Sequence, residues 1–189
     1  MEAQAVKLTV LGQICLYTGV LLSILLKPSG LSSNDGLSYF GIFARTVIPY
    51  SLGLLSSAYL SWLASKHVST PELKPLHDGY ITIAILTVAI VITPYSVGPL
   101  LGWAHTAAGT ALFSLQLLLS AWLTYQLHYH LLAVILTAIE FIAGVACAVY
   151  LLPEHGLLMQ CQVLFQLAFG MLLIFSLARL KSRTKAVLP

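Results

Sequence analysis

Six apolar stretches, about residues 8–26, 43–65, 79–97, 100–126, 131–152 and 156–180, occupy nearly the whole 189-residue chain and constrain its fold more than any other feature. Each is close to the ~20 residues that a helix rising ~1.5 Å per residue needs to cross a ~30 Å hydrocarbon layer. Only 8% of the residues are charged, against roughly 25% in soluble domains. Alternating segments of ~10 residues, the mark of a membrane barrel, do not appear in the sequence. Backbone in lipid must satisfy its own hydrogen bonds, which helices do within a single segment. The chain therefore reads as an all-α, polytopic membrane protein, one six-helix transmembrane domain over residues 1–189 with no room for a soluble domain. "VKLTVLGQICLYTGVLLSILLKPSG" has a basic residue ahead of an apolar core. That core is long for a cleaved signal and no A-x-A site follows, so it reads as a retained first helix.

Charge sets the expected orientation. Lys7, Lys66, Lys74, Arg179, Lys181, Arg183 and Lys185 fall on the side of the termini, and only Lys27 and Arg45 on the other. The positive-inside rule then makes both termini cytoplasmic. The net charge of +3 comes mainly from the tail "RLKSRTKAVLP", so it reports topology, and no nucleic-acid partner is implied. Cys15, Cys147 and Cys161 lie within spans without paired spacing, which signals neither a disulfide framework nor a thiolate metal site. His67, His77, His128 and His130 lack the i, i+4 spacing of a helical metal site, so no metal and no cofactor are expected.

The three outward loops gather a polar and aromatic mixture that neither inward loop matches: Asp35, Arg45, Tyr95, Trp103, His105 and Glu154. Short loops at one end of a small bundle can converge. The plain alternative is that the acids are solvated and the aromatics form an interfacial belt. "TPYSVGPLLGWAHT" shows both aspects. Pro94 and Pro99 stop one span and start the next, because proline disfavours helix at the preceding residue and donates no hydrogen bond. His105, just inside the fourth span, is left needing a partner, since an unpaired polar group in hydrocarbon costs several kcal/mol. Gln116 follows eleven residues later, almost three turns on, along the same face.

Glu140 lies about nine residues from either end of the fifth span. A charge at the midplane costs on the order of 3 kcal/mol on insertion scales, so its side chain is expected to face the bundle interior. Gln116, Gln162 and Gln166 fall at comparable depths and are candidate hydrogen-bond partners. A structural role for Glu140 stands about level with a proton, ion or ligand role.

Three segments resemble a known family. "SSNDGLSYFGIFARTVIPYSLGLLSSAYLSWLA" is similar to the first outward loop and second helix of the six-span Frag1/DRAM/Sfk1 family and related prokaryotic membrane proteins. "TPYSVGPLLGWAHTAAGTALFSLQLLLSAWL" resembles its fourth helix, opened by a histidine with a phenylalanine about eight residues on, here His105 and Phe113. "GLLMQCQVLFQLAFGMLLIFSLARL" is similar in outline to its last helix. Asn34-Asp35-Gly36 departs from the family's usual I-S-x-L-G turn. The resemblance implies six helices with both termini inside and an association with membrane lipids, and it carries over no catalytic mechanism.

Four functional readings follow from these residues. The leading one is a protein that binds or organises a lipid or small amphiphile at the extracytoplasmic side, through His105, Asp35, Arg45 and Glu154 with Trp103 and Tyr95 at the interface. Arg45 would suit an anionic headgroup. The alternatives are a proton- or ion-coupled transporter using Glu140, a lipid-modifying enzyme with His105 as base and Asp35 or Glu154 as its partner, and a non-catalytic subunit. Membrane lipids are the expected partners, together with a membrane-protein partner or a second copy of the chain.

Overall fold

A computed structural model of the protein describes residues 2–68, 70–151 and 156–186, and among these residues the architecture is all-helical with no strand. Six helices, each long and apolar enough to cross a membrane, carry it: α1 (Glu2–Leu26), α2 (Val47–Ser65), α3 (Lys74–Ile92), α4 (Pro99–Gln126), α5 (Leu131–Leu151) and α6 (Leu158–Ala186). The largest departure from the sequence reading is α3, which begins and ends about five residues earlier than expected. Pro71 opens a 3-10 turn that runs directly into the helix, and Pro75 sits in the helix's first turn, where its missing N–H costs nothing. Thr93, the residue before Pro94, leaves the helical region, so the span stops there.

Pro99 occupies the first turn of α4. The helix ends on two residues in the left-handed region, His128 (φ 53°) and Tyr129 (φ 55°). Their N–H groups donate to Tyr125 O at 2.9 Å and Thr124 O at 3.0 Å, which satisfies the last carbonyls and turns the chain sharply into α5.

The helices pack in a ring in the order α1, α2, α3, α4, α6, with α5 seated over the α4–α6 junction against both. The closest approach is between α1 and α2, at Gly19 and Gly53. A Cβ on Gly19 would lie 2.6 Å from Pro49 O and 2.9 Å from the Cα of Gly53. Small residues of this kind let two backbones touch where lipid supplies no hydrophobic drive to hold helices together.

The ring is sealed at the end that carries the termini. Leu76, Leu123, Leu172 and Leu177 are fully buried there, with Ala5, Val68 and Ala133 between them. At the opposite end the α1–α2 connection folds inward as a roof built of two 3-10 turns, Pro28–Ser32 and Gly36–Gly41. Phe40 anchors it, fully buried against Tyr50 of α2 and Met159 of α6. The Thr46 hydroxyl donates to Phe40 O at 2.7 Å. Gly36 has φ +61°, and any side chain there would collide with the Gln162 amide, so glycine is required on both counts.

Candidate functional site

Between the sealed end and the roof the ring encloses a cavity of about 530 Å³, within the 300–1,000 Å³ typical of sites that hold one small molecule. All six helices and the roof contribute to its lining. Its deep end is closed by Thr9 of α1 and Tyr80 of α3, whose hydroxyls lie 2.6 Å apart. The walls mix Leu, Ile and Phe side chains with hydroxyls and amides such as those of Ser57, Ser61, Thr87, Gln13 and Gln116. Its mouth is at Asn34 and Asp35, both exposed.

The roof is pinned to α6 and α4 by specific hydrogen bonds. The Leu37 N–H donates to Gln162 Oε1 at 2.7 Å, and Gln160 Nε2 donates to Leu31 O at 2.6 Å. The Gly156 N–H donates to Asn34 Oδ1 at 2.6 Å. The fourth tie joins Ser38 of the roof to His105 of α4, with Oγ and Nε2 2.7 Å apart. The other ring nitrogen, Nδ1, lies 2.8 Å from Thr93 O and 3.2 Å from Ile90 O. Carbonyl oxygens only accept, so Nδ1 carries the hydrogen, and in the neutral ring Nε2 accepts from the Ser38 hydroxyl. The partners that His105 needed are thus a roof residue and two carbonyl groups at the end of α3, those of Ile90 and of Thr93 just past it.

Gln116 lies deeper along the same face of α4 and also lines the cavity. It pairs with Gln166 of α6 through two reciprocal amide hydrogen bonds of 3.0 Å. Glu140 takes a different place. It is fully buried and does not line the cavity. Ser120 of α4 donates to its Oε2, Oε1 has no partner, and no hydrogen bond joins it to Gln116, Gln162 or Gln166. One turn away Thr124 and Thr137 are 2.7 Å apart, so Ser120, Thr124, Thr137 and Glu140 fasten α4 to α5 in the half of the bundle nearer the termini.

Toward the roof that fastening ends. Thr106, Gly109, Thr110 and Ser114 of α4 and Gly144, Cys147 and Ala148 of α5 line the cavity from either side. Thr106, Thr110, Ser114 and Ala148 are exposed as well, and a Cβ added to Gly109 would meet nothing within 4 Å. The cavity therefore opens sideways between α4 and α5, in the half of the bundle nearer the roof. Phe113 and Phe165, with rings 4.3 Å apart, bridge α4 to α6 behind this opening.

Of the residues singled out in the sequence, His105, Asp35, Tyr95, Gln116, Gln162 and Gln166 converge on the cavity. Trp103 does not: it is 77% exposed on the outer face of α4, where an indole suits the membrane interface. Arg45 is exposed and lies outside the cavity lining, so the expected pairing of its guanidinium with a bound headgroup has no support in the geometry. Glu154 lies outside the described residues. Among the described residues that line the cavity, Asp35 is the one carboxylate, and there is no Lys or Arg. Lys27, the nearest cation in sequence, rests over the Phe43 ring at 4.0 Å.

The Tyr95 hydroxyl is buried without a hydrogen-bond partner. Burial first, and the Asp35 charge second, push its pKa well above the ordinary tyrosine value, so it stays a phenol and a donor. Gln13 Oε1 is a second buried atom of the lining without a partner. Among the described residues no group of three His, Cys, Asp or Glu side chains is placed to hold a metal ion. His77 sits beside Asp78 at 3.0 Å, and His130 Nε2 is 3.3 Å from Arg179.

Gln13, Ser38, Tyr80 and Ser120 were not singled out in the sequence. A glutamine within the first apolar span was the one usable signal; serines and tyrosines in spans are too common to mark a site. Comparison with family models, curated protein sequences and solved structures gives no match for this chain.

Proposed function

We propose that the protein is a multi-pass membrane protein that takes a small amphiphile from one leaflet into its central cavity. The observation that carries this reading is the sideways opening between α4 and α5, which joins a 530 Å³ cavity of mixed apolar and amide or hydroxyl lining to the membrane at a single depth. With seven of the nine Lys and Arg residues at the end of the termini, that depth is the extracytoplasmic leaflet. The resemblance to the Frag1/DRAM/Sfk1 family, with its lipid association, points the same way.

The lining narrows the class of ligand. A volume of this size fits one chain with a small head, and a lining whose one carboxylate among the described residues is Asp35, with no Lys or Arg, disfavours an anionic head. Neutral amphiphiles bearing hydroxyl, amide or ester groups match the unpartnered Gln13 Oε1 and Tyr95 hydroxyl. The transporter reading loses its main support, because Glu140 is separate from the cavity and is held between α4 and α5.

The test is equilibrium binding of decanol and decanoate to the purified protein in nanodiscs. Decanol should bind at one molecule per chain, more tightly than decanoate. Thr110→Trp, which places an indole in the opening, should weaken binding about tenfold or more while the melting temperature holds. Undiminished binding to Thr110→Trp, or a preference for the acid, would overturn the proposal.

A further inference from the structure

From the pairing of Ser38 with His105 we infer that the cavity also holds an acyl-transfer centre, with Ser38 as nucleophile and His105 as general base, acting on a carboxylic ester of the amphiphile class that the cavity admits. This inference rests on the binding proposal above. It goes beyond it by naming a reaction and the atoms that carry it.

The geometry meets the requirements of an activated nucleophile in order. The nucleophilic oxygen must lie within hydrogen-bond reach of the base, and Ser38 Oγ is 2.7 Å from His105 Nε2. The base must present its unprotonated nitrogen to that oxygen, and this is set by the opposite side of the ring. Thr93 O at 2.8 Å and Ile90 O at 3.2 Å require the hydrogen on Nδ1. Those carbonyl groups stand where a carboxylate orients histidine in a serine–histidine–aspartate triad. Asp35, one expected partner, does not fill that place, since two backbone carbonyls take both contacts at Nδ1; Glu154, the other, lies outside the described residues.

Space for a substrate is on both sides of the pair. Ser38 and His105 line the main cavity, and they also line a side recess of about 110 Å³ together with Tyr50 and Tyr95. An ester whose chain fills the main cavity can place its smaller portion in the recess, with the carbonyl carbon between. The Tyr95 hydroxyl, buried in the lining of the same recess and close to the Asp35 carboxylate, is the donor available to a developing oxyanion.

The step balances with the residues present and one water. Ser38 Oγ attacks the ester carbonyl carbon as its proton passes to His105 Nε2. The acyl carbon–oxygen bond to the alcohol portion then breaks, the alcohol leaves with that proton, and the acyl group stays on Ser38. Water arriving through the mouth at Asn34 and Asp35 attacks the acyl-enzyme, giving one proton to His105. Release of the carboxylic acid returns that proton to Ser38. A carbonyl orienter stabilises an imidazolium less than a carboxylate does, so turnover is expected to be slow, and covalent labelling is the more sensitive readout.

The experiment uses the full-length protein in nanodiscs and a decyl fluorophosphonate, which phosphonylates activated serines, with the modified residue located by peptide mass spectrometry. The expected result is stoichiometric labelling at Ser38, lost in Ser38→Ala and reduced at least a hundredfold in rate in His105→Gln. Hydrolysis of p-nitrophenyl decanoate should follow the same order, and Ser38→Cys should keep acylation by this activated ester. If decanol binds as proposed but the probe leaves Ser38 unmodified, or labels Ser38 equally in His105→Gln, the acyl-transfer inference is overturned and the binding proposal stands. If the folded protein binds neither decanol nor the probe, both are overturned.

Discussion

Gln116 and Gln166 face each other across the interior and exchange two amide hydrogen bonds of 3.0 Å, each side chain serving as the other's donor and acceptor. Both residues line the cavity, so the pair fixes α4 against α6 across the interior. Replacing one amide strands the other. Gln116→Leu is expected to cost about 1–3 kcal/mol, the penalty of an unsatisfied buried polar group, and the double change Gln116→Leu/Gln166→Leu less than the sum of the two single changes. A double-mutant cycle on reversible unfolding in mild detergent measures this, with coupling of about 1 kcal/mol or more expected.

Glu140 and Ser120 form the corresponding fastening between α4 and α5. Glu140→Gln keeps an acceptor for the Ser120 hydroxyl and nearly the same volume, so stability should change by less than about 1 kcal/mol. Glu140→Ala removes the acceptor and leaves a cavity, at a cost of about 2–4 kcal/mol. Decanol binding in Glu140→Gln should match wild type, because Glu140 does not line the cavity. Parallel melting curves and binding isotherms check both statements, and abolished binding in Glu140→Gln would return Glu140 to the functional site.

Tyr95 gives a pH dependence whose sign follows from its environment. Its folded pKa is raised, by burial first and by Asp35 second, above the ~10 of an unfolded tyrosine. The native state therefore keeps the proton longer than the unfolded state. The contribution is intact below pH ~10 and is lost as pH rises beyond it. Asp35→Asn should lower the Tyr95 pKa and lessen that loss. Phenolate absorbance of wild type minus Tyr95→Phe, followed through the alkaline range with and without Asp35→Asn, tests the direction and the cause.

Gly53 has no room for a side chain, since a Cβ there would lie 3.0 Å from Cys15 O and from the Cα of Gly19. Gly53→Val should push α1 from α2 at a cost of about 1–3 kcal/mol, as overpacking does, while Gly109→Ala, facing open space, should leave stability within about 0.5 kcal/mol. Thermal unfolding of the two variants side by side reads the difference.

Much of this was legible in the sequence for reasons that can be named. Helix number followed from apolar length, and the separation of the third and fourth spans from Pro94 and Pro99. His105 and Glu140 stood out because a polar group in an apolar span must be satisfied somewhere. What the sequence could not supply was the partner. Ser38 is one of several serines in the first loop, and nothing local marks it as the one that meets His105 from sixty-seven positions away. Comparable depth suggested that Gln116, Gln162 and Gln166 would surround Glu140. The bundle instead turns Gln116 and Gln166 toward each other, sends Gln162 to the roof, and leaves Glu140 to Ser120. Depth along a helix is readable from residue count, whereas the direction a side chain faces depends on how the helices rotate against one another. The early end of α3 is a different limit: Ile92 closes the helix five residues before the expected end of the span, because proline disfavours helix at Thr93 before it.

The central claim is that the space between the ring of helices and the roof is a binding site reached from the membrane. The most direct measurement is a structure of the protein with 10-bromodecanol, in which the bromine marks the far end of the chain by its anomalous signal. The account expects one bromine site per chain inside the cavity, lost in Thr110→Trp. Bromine found only along the outer, lipid-facing surfaces of the helices, with the cavity empty of ligand, would contradict it.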